Sequence, residues 1–170
     1  NSAYVAVNMN TREPVTIKLY ADDINLTAAA SPDVPTHSYP CALVEQGQLG
    51  DGLKLLRPPS GPPWQFAVPG GKPAAEATVK VTVSEAGDYR VWLRGRAADE
   101  PGTVTVTCDG KPAGTASVTD PYWQWLPALA DGKTVVLSLQ PGEHTLRLAW
   151  PAGSKLGAHK IVLSNDLNSR

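Results

Sequence analysis

A small set of aromatic and amide side chains could recognise a ligand in this 170-residue chain. Trp64 follows a proline-rich stretch, Tyr122 and Trp123 are adjacent, and Asn165 lies near the C-terminus. A flat aromatic ring can stack on the C–H face of a pyranose, and an amide can hydrogen-bond its hydroxyls. These four residues are therefore candidate carbohydrate-binding residues. The alternative is that Tyr122 and Trp123 pack in the core and that Trp64 anchors its own loop.

An aromatic and basic stripe is a second candidate. Arg90, Trp92 and Arg94 alternate with apolar residues, which places all three on the outer face of a predicted strand. Such a stripe could bind an acidic polysaccharide. Alternatively, the two arginine stems cover the tryptophan beneath another segment of the chain, with their charged ends in water.

The two cysteines, Cys41 and Cys108, allow two interpretations. Neither lies in a CxxC pair or at metal-ligand spacing from a histidine, so a zinc site is not supported. In an exported protein they would form a Cys41–Cys108 disulfide, which stabilises by about 4 kcal/mol in the chain-entropy model. Otherwise both are buried free cysteines that act as small apolar residues.

Catalytic chemistry has little support in the sequence. None of His37, His144 and His159 follows a nucleophile motif, and Ser60 does not lie in a G-x-S-x-G elbow. No pair of carboxylates has a spacing typical of acid–base catalysis. We therefore predict that the protein is not an enzyme.

Composition and charge exclude further classes. The chain has 15 Lys and Arg against 16 Asp and Glu, a net charge of -1, which argues against a nucleic-acid partner. No apolar run approaches the ~20 residues of a membrane span. The 15 glycines and 16 prolines are unfavourable for long helices. Because the sequence starts at Asn1 without a basic leader, we expect a processed protein that is extracellular or on the cell surface.

Period-2 alternation from Thr78 onward predicts an antiparallel β-sandwich. Several short strands are separated by turns such as Asp109-Gly110, a strong hairpin signal. Trp125 and Trp150 are predicted core residues, and the range 134–139 is predicted to be one strand. The predicted inward-facing residues are Val79, Val81, Val83, Tyr89, Val91, Leu93, Val104, Val106, Cys108, Leu146, Leu148 and Trp150.

The first 40 residues differ from the rest of the chain. The ranges 3–9 and 15–20 have the pattern of strands, and Pro32 and Pro35 lie in a linker-like stretch. We therefore predict an N-terminal extension, residues 1–40, with one or two strands and a linker, followed by a β-sandwich domain, residues 41–170.

Four segments occur in an order that resembles carbohydrate-binding modules of families 6 and 35. They are residues 86–94 (AGDYRVWLR), 122–125 (YWQW), 142–148 (GEHTLRL) and 160–166 (KIVLSND). Residues 42–45 (ALVE) are predicted to form a strand that is similar to the start of those modules, so the resemblance covers about residues 41–167. It implies a jelly-roll sandwich that binds a polysaccharide or oligosaccharide and holds a structural calcium ion.

Glu45 and Asp166 occupy the positions that resemble calcium ligands of the family. Calcium prefers several hard oxygen ligands, which two carboxylates and backbone carbonyls could supply. The chain departs from the family pattern in two places. Gln46 and Gly47 follow Glu45 where the family usually has a second acid, and His159 replaces the common Asp before the final Lys-Ile.

Two functions from different classes follow from these features. The first is a non-catalytic, secreted carbohydrate-binding module. The second is a self-assembling subunit of an extracellular filament or surface layer, in which residues 1–27 act as a donor strand for the sheet edge of a neighbouring copy.

Overall fold

The computed structural model describes residues 37–58, 64–71, 75–97 and 100–167. The chain divides into two units, Asn1–Val34 and Pro35–Arg170, and every described residue belongs to the second. The predicted N-terminal extension therefore lies almost entirely outside the described residues, and so does the proline-rich segment 59–63. No helix in the described part is long and apolar enough to cross a membrane.

Two antiparallel sheets form a β-sandwich, as predicted. The described part of sheet A has the strand order β12-β6-β14-β4-β3, and β1 and β9 pair with β14 and β6. These strands are β1 (Cys41–Leu43), β3 (Leu53–Leu56), β4 (Phe66–Pro69), β6 (Gly87–Ala97), β9 (Gln124–Pro127), β12 (Val136–Leu139) and β14 (Leu156–Ser164).

The described part of sheet B has the order β11-β10-β8-β7-β13-β5-β2. Its strands are β2 (Gln48–Leu49), β5 (Ala75–Val83), β7 (Gly102–Cys108), β8 (Lys111–Val118), β10 (Leu129–Ala130), β11 (Lys133–Thr134) and β13 (Gly142–Trp150). A short 3-10 turn, Val44–Gln46, connects β1 to β2, so the chain crosses between the sheets at that point.

The core lies between the sheets, and alternation in the sequence identifies most of it. All twelve residues predicted to face inward are buried, at 3% exposure or less. Trp150 is among the largest of them, and its indole N–H donates to the Leu156 carbonyl at 2.8 Å. Because successive side chains on a strand point to opposite faces, this inward set also fixes which residues face outward.

Three predictions about single elements were wrong. The predicted strand 134–139 is two strands in different sheets, because the chain changes sheet at Val135, whose N–H donates to Ala128. Glu45 lies in the 3-10 turn and not in a strand. Trp125, predicted to be core, is 47% exposed, because β9 turns it to the outer face of sheet A.

The predicted disulfide is also absent, since both cysteines are free. Cys41 is exposed on β1 of sheet A, whereas Cys108 is buried on β7 of sheet B. The alternative, two buried thiols, holds for Cys108 only. Burial, reinforced by the charge of Asp109, raises the pKa of the Cys108 thiol to about 11, so it stays protonated at neutral pH.

Candidate functional site

The outer face of sheet A brings aromatic and basic side chains together. On β6, Leu93 faces the core, so Arg94 and Arg96 face outward. Arg94 pairs with Trp125 across β9, which places that ring on the same face. Trp123 directly precedes β9, and the Arg96 guanidinium carbon lies 5.9 Å from its ring centroid.

Three aromatic rings pack edge to face on this surface. The Trp64 and Trp123 centroids are 5.0 Å apart, and those of Phe66 and Trp123 are 5.1 Å apart. Trp64 and Phe66 complete the triangle at 6.2 Å. Trp64 and Trp123 are both half-buried, so each keeps part of its ring accessible to solvent. We call this group, with His159 and Arg94, the aromatic cluster.

His159 is the residue on which Trp64 stacks. The two ring centroids are 4.1 Å apart with an interplanar angle of 33°. The side chain occupies an irregularity in β14, where the pairing with β6 shifts between Ala158 and Lys160. A bulge of this kind inserts one extra residue and redirects its side chain.

The imidazole of His159 is 5% exposed, and neither ring nitrogen has a hydrogen-bond partner among the described residues. Burial lowers its pKa, and the charges of Arg94 and Lys160 lower it further, whereas the nearby carboxylate of Glu45 opposes them. The ring is therefore neutral at neutral pH and presents one donor and one acceptor nitrogen.

The two arginines lie over the aromatic rings. The Arg94 guanidinium carbon is 5.6 Å from the Trp64 centroid and 5.9 Å from that of Trp123, within cation–π range. Arg96 also donates from Nε to the Ala97 carbonyl at 3.2 Å. Within the described part of the chain, neither arginine forms an ion pair with a carboxylate.

A groove of about 230 Å³ continues from the cluster across sheet A. Its floor exists because residue 157 is glycine: a Cβ there would lie 3.1 Å from Phe66 and 3.2 Å from Val68. The groove therefore combines an apolar floor with two basic side chains at its rim. Its lining residues are Leu56, Phe66, Val68, Pro69, Arg96, Lys155 and Gly157.

Of the predicted carbohydrate-binding residues, Trp64, Trp123 and Arg94 lie together in the cluster. Trp92 and Arg90 follow along the same face of β6, where they pair with Val162 and Ser164 of β14. Tyr122 is 77% exposed beside Trp123 in the sequence, with no ring contact to the cluster.

Asn165 does not belong to this site. Its side-chain oxygen accepts the Ser38 N–H at 2.6 Å, and its own N–H donates to the Ser38 carbonyl. The amide therefore holds the chain that precedes β1 against the end of β14. Its role in the structure is to anchor this segment.

The predicted calcium ligands do not fit a common ion. β1 and β14 are antiparallel, with Leu43 opposite Lys160, so Glu45 and Asp166 lie at opposite ends of the pair. At ~3.3 Å per residue they are on the order of 25 Å apart. The Glu45 carboxylate instead accepts the Gln65 N–H beside the aromatic cluster.

Another polar cluster lies at the β7–β8 turn, where Cys108, Asp109 and His144 are close enough to surround a metal ion. His144 already uses both ring nitrogens, toward Asp109 at 2.7 Å and the Gln140 carbonyl at 2.8 Å. Hydrogen bonding to Asp109 raises the pKa of His144, and the same contact lowers that of Asp109. Because Cys108 is protonated and both nitrogens of His144 already have hydrogen-bond partners, we interpret this cluster as a structural feature of the turn.

Several residues of this face were missed from sequence, among them Arg96, Phe66, Trp125 and His159. Arg96 continues the alternation of Arg90 and Arg94, and Phe66 lies two residues after Trp64, so a period-2 search could have found both. Trp125 shares a face with Trp123, but that face was assigned to the core. His159 could not have been found from the local sequence pattern, because it lies in an irregularity of the pairing between β14 and β6, and such a bulge depends on the partner strand.

Comparison with solved structures identifies the architecture. The chain aligns with a family 35 carbohydrate-binding module from Clostridium thermocellum at TM-score 0.59 and 11% identity, covering 74% of this chain and 97% of that one. A family 36 module solved with calcium and xylotriose aligns at TM-score 0.54 and 12% identity, with coverages of 72% and 98%. This chain has a carbohydrate-binding-module fold.

The module fold also matches part of a larger enzyme. A family 26 mannanase with a family 35 module, from Podospora anserina, aligns at TM-score 0.60 and 12% identity over 78% of this chain, but the match spans only 28% of that enzyme. The family 35 and family 36 modules, in contrast, are matched over 97% and 98% of their own length. No family model matches the sequence, and no curated protein matches it.

Proposed function

We propose that this protein is a non-catalytic, secreted module that binds carbohydrate through the outer face of sheet A. One observation carries the proposal: tryptophan rings and arginines gather on a solvent-facing sheet surface, away from the core that holds the sandwich together. Exposed aromatic rings supply stacking surfaces for sugars, and nearby polar groups can orient the hydroxyls.

The likeness to solved modules supports the same proposal. Structures of this fold include modules in complex with xylotriose and with cellotriose. Fold alone does not fix function. The cluster on this chain adds the chemistry that a sugar would need.

Trp125 is the residue best suited to a binding test, because it is 47% exposed and not part of the core. We expect Trp125→Ala to weaken glycan binding about tenfold or more while leaving the melting temperature nearly unchanged. Binding is measured by titration calorimetry with the best ligand from a panel of neutral and acidic oligosaccharides.

A matched control is Tyr39→Ala, which removes an exposed aromatic ring beside the Ser38–Asn165 contact, at the end of β14 away from His159. It should leave affinity unchanged. Trp123→Ala should weaken binding as well, and circular dichroism checks that its half-buried site tolerates the change. Failure of the unmodified protein to bind any glycan in the panel would refute the proposed function.

A further inference from the structure

The aromatic cluster contains one group that titrates near neutral pH, the imidazole of His159. This ring is also the closest described ring neighbour of Trp64: the two centroids are 4.1 Å apart, against 5.0 Å for Trp123 and 6.2 Å for Phe66. Trp64 precedes β4, and the pairing of β4 with β3 begins only at Phe66. The position of the Trp64 ring therefore depends on its ring contacts, above all on the stack with His159.

Charged groups from three elements act on this imidazole. Arg94 of β6 pairs with Lys160 of β14 in the strand register, so two cations lie beside the ring. Glu45, in the 3-10 turn, contributes the opposing charge, but its carboxylate already accepts the Gln65 N–H. The described rings that contact the imidazole are uncharged tryptophans. A proton on His159 would therefore add a third positive charge to this part of the cluster.

The stacked position of His159 suits a neutral ring and not a protonated one. An imidazolium has two N–H donors, and neither ring nitrogen has a hydrogen-bond partner among the described residues. Because the residue is only 5% exposed, the charge would be buried as well as unpartnered, which costs free energy. The Trp64 ring offers little compensation, since the Arg94 guanidinium already interacts with it at 5.6 Å.

The irregularity in β14 allows this side chain to move independently of the core. The pairing with β6 shifts between Ala158 and Lys160, so His159 is the extra residue of a bulge. Ala158 and Ile161, on either side of it, are both fully buried. A rotation of the His159 side chain can bring its ring to water while these two core residues keep their places.

We propose that His159 positions Trp64 and thereby makes ligand binding by the aromatic cluster dependent on pH. The neutral ring supports the Trp64 side chain as a stacking surface. On acidification the protonated ring leaves the cluster for water, and Trp64 loses its closest contact. The fold lowers the pKa of His159 below 6.5, so binding is full above that pH and falls below it. The inference rests on the proposed function and describes the regulation of that same site.

The first test measures affinity against pH for the unmodified protein and for His159→Phe, whose ring can stack but does not titrate. The ligand is the oligosaccharide that binds best in the panel of neutral and acidic glycans, measured by titration calorimetry. We expect the unmodified protein to lose affinity about fivefold or more between about pH 7.5 and about pH 4.5, and His159→Phe to lose much less. The readout is the affinity ratio within each protein, so a changed affinity at neutral pH does not affect the comparison.

A second measurement needs no ligand. The imidazole of His159 lies against the Trp64 ring, so its Cε1–H signal in the NMR spectrum should be shifted upfield at neutral pH. We expect this shift to disappear with the same midpoint as the loss of affinity. His144→Gln is the matched control, because it removes a titrating histidine on sheet B and should leave both profiles unchanged. Circular dichroism verifies that each protein is folded at each pH.

The outcomes separate this inference from the proposed function. Constant affinity of the folded, unmodified protein over this pH range would overturn the inference and leave the proposed function standing. An equal loss of affinity in His159→Phe and in a second uncharged variant, His159→Gln, would also overturn it. So would an upfield His159 signal that persists after the ring is protonated. Absence of glycan binding at every pH would refute the proposed function, and the pH dependence of binding with it.

Discussion

The outer faces of the two sheets are built from the same alternation but carry different chemistry. Sheet B presents threonines with paired charges, such as Thr105, Thr107 and the Arg147–Glu76 contact. Sheet A presents tryptophans beneath arginines that have no described carboxylate partner. The inward residues of both sheets form one core, so the outward residues are free to differ. Under the proposed function, sheet A is the face that interacts with a ligand.

We expect the largest loss of stability for a substitution in the core, in contrast to substitutions on either outer face. Trp150 is 2% exposed and donates its indole N–H to Leu156. Trp150→Ala should lower the free energy of unfolding by about 3–5 kcal/mol, because a large buried ring is removed and a cavity remains. Urea denaturation measures the change.

Two further variants sharpen this result. Trp150→Phe removes part of the buried ring and the N–H donor to Leu156, and should cost about 2–3 kcal/mol, less than the alanine variant. Trp125→Ala, on the outer face of sheet A, should cost far less than Trp150→Ala. Equal losses for the two alanine variants would show that the outer ring is structural and would break the comparison.

The histidines of the two sheets should respond to pH in opposite directions. The fold lowers the pKa of His159 below 6.5, mainly by burial, so the unfolded chain takes up this proton first. Stability contributed by the neutral ring is present above pH 6.5 and is lost as the pH falls below it. We expect His159→Phe to lose less stability on acidification than the unmodified protein.

The stability contributed by His144, on sheet B, should depend on pH in the opposite direction. Its pKa is raised above 6.5, so its contribution is full below that pH and is lost as the pH rises through the folded pKa. Asp109 adds stability above pH 3.8 that is lost on further acidification. The destabilisation caused by His144→Gln should thus be greatest from about pH 4 to about pH 6.5. Thermal melts across this range test both histidines, and parallel profiles for the two variants would contradict the assignment.

The smallest effect is expected at the ion pair of sheet B. Arg147 and Glu76 are both well exposed, and exposed pairs contribute little because water and salt screen them. Arg147→Ala should shift the melting temperature by at most about 2 °C and leave glycan binding unchanged. A large loss of glycan binding would move the site to sheet B.

The sequence predicted the sandwich well because alternation is a local signal. Val79 to Val83 and Tyr89 to Leu93 reveal their inward faces within single strands. Trp125 was assigned wrongly because alternation shows that it shares a face with Trp123 without showing which face is buried. That distinction depends on β9 pairing with the edge of β6.

The candidate site was predicted only in part, for a similar reason. Trp64, Trp123 and Arg94 were named individually, but their contact depends on three segments far apart in sequence. The calcium pair failed because the resemblance supplied the residue positions and the register of β1 and β14 then separated them. Whether residues 1–27 act as a donor strand stays a prediction.

The irregularity at His159 also bears on how such a surface can diversify. Ala158 and Ile161 both face the core, although three positions separate them, so the intervening stretch of β14 contains one residue beyond strict alternation. Deleting this surplus residue would shift the rest of β14 by one position and turn Ile161 and Leu163 away from the core. Position 159 can therefore vary in residue type, but the number of residues in this stretch of β14 is fixed by the core.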